Sequence, residues 1–192
     1  MERLLAHLDF LEQSIALVQQ EIQQRLEPYE AAAELLGSIP TVGEAAIATI
    51  ISEIGVDRER FPSDKHVASW AGGCPGNYES AGKWLSGKTP HGNAYLRAVL
   101  CELAWVVAHT KGSYLSAFYH RVARRCGKKR AILAIAHKLL VIIYHVLKTK
   151  KPYHELGEAY FDQLERAHIE RRAIRRLEQL GYEVSLTPKQ IA

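Results

Sequence analysis

The residues whose types and spacing suit chemistry lie in Asn77-Tyr-Glu-Ser-Ala-Gly-Lys-Trp-Leu-Ser-Gly-Lys-Thr-Pro-His-Gly-Asn-Ala-Tyr-Leu-Arg97. Ser80 is the first candidate nucleophile and Ser86 the runner-up. A serine hydroxyl attacks poorly unless a base or nearby cations activate it and the developing charge is stabilised. Lys83, Lys88 and Arg97 bring cations to this segment, but no base is obvious: Glu79 adjoins Ser80, and His91 is within loop reach. Gly82, Gly87 and Gly92 let the backbone approach a ligand closely. Asn93 can cap the helix that follows, and with Lys83, Lys88 and Arg97 it is expected to bind phosphate. A hydroxyl among cations suits attack on a phosphate ester. A serine in a glycine-rich loop is also often only a loop residue, and that reading stands beside the catalytic one. Gly82-Lys83 and Gly87-Lys88 lack the earlier glycine and the preceding strand of a Walker loop, which argues against nucleotide binding.

The charge pattern supports a polyanionic partner. From Lys83 to Lys151 the sequence holds fourteen Lys and Arg against one carboxylate, Glu102, a formal +13. Residues 1–82 carry five bases and thirteen acids, and residues 152–192 carry six and seven. The overall +4 therefore hides a strongly basic middle. Its densest part is Arg121, Arg124, Arg125, Lys128, Lys129 and Arg130, around Gly127. Bases placed for solubility usually come mixed with acids, so this tract is expected to contact phosphates. Solvated surface is the plainer alternative.

A second phosphate candidate is Thr41-Val42-Gly43, after Pro40 and before an apolar helix. It resembles the helix-hairpin-helix of many DNA-binding proteins, in which a tight turn exposes backbone N–H groups at a helix start. Thr41 stands where the first glycine would be, and Glu44 adds a negative charge. A helical hairpin that only packs is the alternative. Trp84 is placed to stack on a base. The nine histidines form no ligand set, and Cys74, Cys101 and Cys126 fit neither a zinc spacing nor a disulfide framework. No metal site is expected in this chain.

The elements that must position these residues read as helices throughout, so the expected class is all-α. Leu4, Leu8, Leu11, Ile15, Val18 and Ile22 alternate steps of four and three, a coiled-coil-like seam on a helix that ends near Glu27, before Pro28. That helix either packs on its own domain or pairs with another segment. Further helices are expected to Leu36, over 44–54, over 63–71, from Gly92 to Thr110, from Ser113 to Arg125, from Lys129 to Leu147 as the buried centre, and from Gly157 to Leu180. Residues 72–92 hold six of thirteen glycines and are expected to be a long irregular loop. The expected organisation is connecting helices over 1–36, a domain over 37–182 and a tail over 183–192. No apolar run approaches a bilayer span and no secretory leader is evident, so a cytoplasmic setting without a membrane is expected.

Taken in order, Ile39-Pro-Thr-Val-Gly43, Glu53-Ile-Gly55, Phe61 to Gly73, Glu79-Ser-Ala-Gly-Lys83, Ser86-Gly-Lys-Thr89, Gly92-Asn93, Leu96-Arg97, Lys111-Gly112, Gly127-Lys-Lys-Arg130 and Leu180-Gly-Tyr182 resemble insertion-sequence transposases of the IS-one-ten type. The resemblance covers roughly residues 30–188. It implies a DNA recombinase guided by a structured bridge RNA, in which a serine attacks a DNA phosphodiester and forms a phosphoserine link. Ser80 matches that serine. The resemblance also implies an amino-terminal RuvC-like acidic domain that binds Mg2+. This chain opens at the helix that would connect to it, so alone it is expected to be catalytically incomplete and to hold no cofactor. Relatives often carry pairs of bases where Trp84-Leu85 and Pro90-His91 stand here. DNA, a guide RNA and further copies of the chain, as dimer or tetramer, are the implied partners. The alternatives are a non-catalytic helical DNA- or RNA-binding module and a helical protein-interaction adaptor.

Overall fold

A computed structural model describes residues 2–57, 60–74, 76, 78–87 and 89–185. The fold is all-α, as the periodicity predicts. Its helices are α1 (Glu2–Leu26), α2 (Glu30–Gly37), α3 (Glu44–Ile54), α4 (Asp64–Trp70), α5 (Ala94–His109), α6 (Tyr114–Cys126), α7 (Lys128–Thr149) and α8 (Tyr160–Gln179). A single 3-10 turn at Glu27–Tyr29, with Pro28 inside it, separates α1 from α2. Pro28 cannot donate the hydrogen bond that would continue α1.

The centre is α7. Ala131, Ile135, Leu139, Leu140 and Ile143 are fully buried, and α2, α4, α5 and α6 pack around it. By length and apolarity α7 alone among the described helices matches a membrane-crossing segment, contrary to the expectation that no run comes close. Tyr144 on α7 donates from its hydroxyl to the Phe61 carbonyl at 3.1 Å, and Lys148 donates to the Tyr144 hydroxyl at 2.9 Å. The segment after α7 is fastened by Glu155, which accepts from the Tyr114 N–H at 2.8 Å and the Gly157 N–H at 3.0 Å. Its other oxygen accepts from the Tyr153 hydroxyl at 3.2 Å, and burial with this neighbouring carboxylate raises the Tyr153 phenol well above its ordinary range.

Two helices stand apart. No residue of α1 is buried, and the seam residues are exposed, from Ile22 at 40 % to Leu4 at 71 %. The possibility that α1 lies along its own domain is thereby removed; Leu26, at its end, is the α1 residue that packs on the core. Helix α8 is anchored at its start, where the Phe161 ring stacks 5.0 Å from Tyr114 and 5.9 Å from Phe118.

The glycine-rich segment departs from the irregular loop expected. It holds a β-hairpin of β1 (Tyr78–Ser80) and β2 (Lys83–Ser86), antiparallel, pairing Ser80 with Lys83, Glu79 with Trp84 and Tyr78 with Ser86. The turn is Ala81-Gly82, both at positive φ (50° and 74°), which is the geometry that matches the right-handed twist of two paired strands. A register shift between Tyr78 and Glu79 makes the pairing irregular at the end of the hairpin away from the turn. Strands this short carry too little alternation to be read from sequence.

Below the hairpin the chain is closed by two glycines. A Cβ on Gly92 would lie 2.3 Å from the backbone of Ala71 and Gly72, and one on Gly72 would lie 2.9 Å from Gly92 N and Pro90 O. Gly92 therefore serves contact with its own chain, which corrects the expectation of close approach to a ligand. Gly82, in contrast, faces open space. Replacing Gly92 with alanine is expected to cost about 3 kcal/mol or more, since backbone on both sides must shift. The same change at Gly82 should cost about 1–2 kcal/mol, the left-handed penalty alone. Urea denaturation of the two variants checks the difference.

Candidate functional site

Ser80 ends β1 and sits on the rim of the two-residue turn, directly across from Lys83. Both are exposed. Opposed residues of a strand pair share one face, with Cβ atoms about 4.5–5.5 Å apart. The Lys83 ammonium is thus carried on the same face as the Ser80 hydroxyl. Glu79 lies on the other face, because successive strand residues point to opposite sides. It is not placed to take a proton from Ser80. Among the described residues no side chain hydrogen-bonds the Ser80 hydroxyl. Ser86 pairs with Tyr78 at the far end of the hairpin and is half-buried. Lys88, and the side chain of Trp84, lie outside what is described.

The hairpin rises from α5 at residues that sequence reasoning named without their partners. Asn93 caps α5, its side-chain oxygen accepting from the Leu96 N–H at 2.9 Å. Its amide nitrogen donates to the Glu53 carboxylate on α3. Both ends of the Asn93 side chain are therefore used within the protein, and it is a positioning residue. Arg97, one turn into α5, donates to Thr89 Oγ1 at 3.3 Å. It thereby ties the exit of the loop to the helix.

Beneath them lies a cavity of about 20 Å³, large enough for one water, lined by Gly72, Thr89, Arg97, Cys101 and His137 among others. His137, on α7, has its Nδ1 buried without a hydrogen-bond partner among the described residues. Such a group is uncommon. Nothing in the sequence marks it: a histidine on an apolar helix looks like packing. Burial raises the Cys101 thiol, which Arg97 offsets only in part, so it stays protonated at neutral pH and is no rival nucleophile.

The basic cluster occupies one corner. Arg121, Arg124 and Arg125 close α6, and Lys128, Lys129 and Arg130 open α7, with Gly127 at φ 84° between them. All six are exposed. Arginines at the end of α6 complement its dipole, but three bases at the start of α7 oppose theirs. The α7 N-terminus has no side-chain cap. Positive charge and free N–H groups thus coincide, which is what an anion needs. Arg130 precedes His137 by two helical turns, about 10 Å along α7. Arg121 also lies 5.5 Å from the Phe161 ring and holds α8 in place.

At the α2–α3 turn, Thr41 has φ 73°, the region a glycine would adopt freely, and its Oγ1 is buried with no partner among the described residues. Val42 is buried. Gly43 precedes α3, and a Cβ placed on it would meet nothing within 4 Å. Among the described residues no group of three or more His, Cys, Asp or Glu side chains is arranged to hold a metal ion. The described residues do not fit a magnesium site.

Because Asn93 spends its side chain on α3 and α5, Asn93→Ala is expected to lower stability by about 1–2 kcal/mol. It should leave the salt dependence of nucleic-acid binding unchanged. Thermal denaturation and a binding series across salt concentrations separate this from direct phosphate contact, which would flatten the slope.

Residues 33–120, from α2 into α6, match the model described as the Transposase IS116/IS110/IS902 family. The chain is also 32% identical over 130 residues to the pilin gene-inverting proteins of Moraxella bovis and Moraxella lacunata. Those alignments take in 63% of this chain and 38% of each relative, so the chain spans about two-fifths of the length of the curated relatives it matches. The stretch matched by that model includes the hairpin, Asn93 and Arg97.

Proposed function

We propose that this chain is the nucleic-acid-binding, serine-bearing part of a DNA transposase, and that Ser80 is its nucleophile. The observation that carries the reading is the Ser80–Lys83 pair, exposed on one face at the rim of a tight turn. In the step proposed, a bond forms between Ser80 Oγ and the phosphorus of a DNA phosphodiester. The bond from phosphorus to one sugar oxygen breaks, the serine proton passes to a base, and the departing oxygen takes up a proton. Attack by a hydroxyl of a second strand reverses these bonds and releases the serine. Lys83 offsets charge on the phosphate oxygens. Arg97 orders the loop through Thr89, and Lys88, assigned from the sequence alone, adds a further cation for the phosphate.

The corner of Arg124, Arg125, Lys128, Lys129 and Arg130 holds DNA or guide-RNA backbone, and Arg121 shares that work with anchoring α8. The turn at Thr41-Val42-Gly43 offers the α3 N–H groups to a further phosphate. In this reading magnesium and the proton-accepting base come with an acidic domain that the described residues do not contain. The setting is the cytoplasm. The organisation is a connecting helix over 1–36, a serine-bearing domain over 37–182 and a tail. A non-catalytic DNA- or RNA-binding module is the second reading, favoured by the lack of a base at the Ser80 hydroxyl among the described residues.

The seam of α1 associates with further copies. Light scattering at tens of micromolar is expected to give a mass above the monomer, and Leu11→Glu with Ile15→Glu should return it to monomer. A monomeric parent chain excludes the seam. For catalysis, the chain joined to the acidic domain of a relative is assayed for strand exchange. Ser80→Ala is expected to abolish exchange, by more than about 10³-fold, with DNA binding kept. Undiminished exchange moves the assignment to Ser86, tested in the same way. If neither variant loses exchange, the second reading holds.

A further inference from the structure

We infer that α8 carries a second contact for the backbone of duplex DNA, separate from the basic corner at α6 and α7 and resting on the nucleic-acid reading above. The net charge of residues 152–192 conceals it, because acids elsewhere in that stretch cancel the bases. His168, Arg171, Arg172, Arg175, Arg176 and Gln179 recur at alternating steps of three and one. They occupy one face of the helix and line one shallow depression. Every described side chain from His168 to Gln179 except Ile174 is exposed.

Arg171 and Arg175, and likewise Arg172 and Arg176, sit one turn apart, where like charges repel and weaken the helix. Arg166, off this face, is matched by Glu170 at 3.1 Å. Arg172, Arg175 and Arg176 make no ion pair among the described residues. The three unpaired guanidiniums of Arg172, Arg175 and Arg176 on one exposed stripe suit phosphates, to which their planar forks donate in pairs. From His168 to Gln179 the helix runs about 16 Å, long enough to follow several phosphates of one strand.

The stripe is also connected to the rest of the proposed surface. The α8 root is stacked on Tyr114 and Phe118, with the Arg121 guanidinium 5.5 Å from Phe161. One aromatic anchor therefore joins the basic corner to the base of the stripe. Duplex DNA is the occupant favoured, since the matched family is one of transposases and the named relatives invert a gene.

The test is fluorescence anisotropy of the full chain with a DNA duplex and with an RNA hairpin, each over a salt series. Three variants are compared: R172Q/R175Q/R176Q, R172K/R175K/R176K and K128Q/K129Q/R130Q, with helicity checked by circular dichroism. The glutamine variant on α8 is expected to bind duplex roughly tenfold more weakly, with a log–log salt slope shallower by about one to three. The lysine variant should keep most of that slope. If the glutamine variant binds duplex like the parent while the α7 variant weakens, the stripe is not a contact and the nucleic-acid reading stands. If only the RNA hairpin is lost, its assignment to DNA is wrong. If the parent binds neither, the nucleic-acid reading fails and the inference with it.

Discussion

The backbone of Gly92 lies so close to that of Ala71 and Gly72 that no side chain fits between them. The geometry of the candidate site depends on this contact. It brings together the two ends of the segment that carries Ser80, Lys83 and Ser86, so the hairpin leaves the helical body and returns to it at one place. Asn93 extends the lock by one residue, bonding forward to α5 and sideways to Glu53 on α3. Arg97 extends it by one turn, through Thr89. A short two-stranded hairpin is marginal by itself in water. Here the chain on either side of it is held at the Gly72–Gly92 contact, and Glu79 to Lys83 are left to solvent.

Around that neck the charge is arranged against ordinary helix preference. Three bases open α7, where the dipole is already positive, and no side chain caps the exposed N–H groups. The arrangement costs stability in the free protein, and a bound anion would recover it. The apolar body of α7 makes the arrangement tolerable. Ile135, Leu139, Leu140 and Ile143 are fully buried among four other helices, so the packing of its middle sustains a poor beginning.

Much of this fold is legible in the sequence because its helices are punctuated. Pro28, Gly55 and Gly127 stop or start helices within a residue or two of the expected places, and the apolar circumference of α7 identifies the centre. The site is less legible. Ser80, Lys83, Asn93 and Arg97 stand out by type and spacing. The bond between Asn93 and Glu53 joins residues forty positions apart, and no local pattern announces it. The hairpin was missed because its strands hold three and four residues and its turn begins with alanine at positive φ, where asparagine or aspartate would signal it. The unpartnered Nδ1 of His137 is not legible either, because periodicity reports which way a side chain faces and says nothing of its hydrogen bonds. Gly92 looked like a ligand-facing glycine because sequence does not show what occupies the space beside it.

A segment whose two ends already touch can change length with little effect on what holds it. The entropy of closing such a loop grows only with the logarithm of its length. The neck at Gly72 and Gly92 therefore makes residues 73–91 a cassette: reach, charge and tip residues can be exchanged there while the helical body keeps its packing. The glycines that look most dispensable, having no side chain to offer, are what separate the part free to vary from the part that is not.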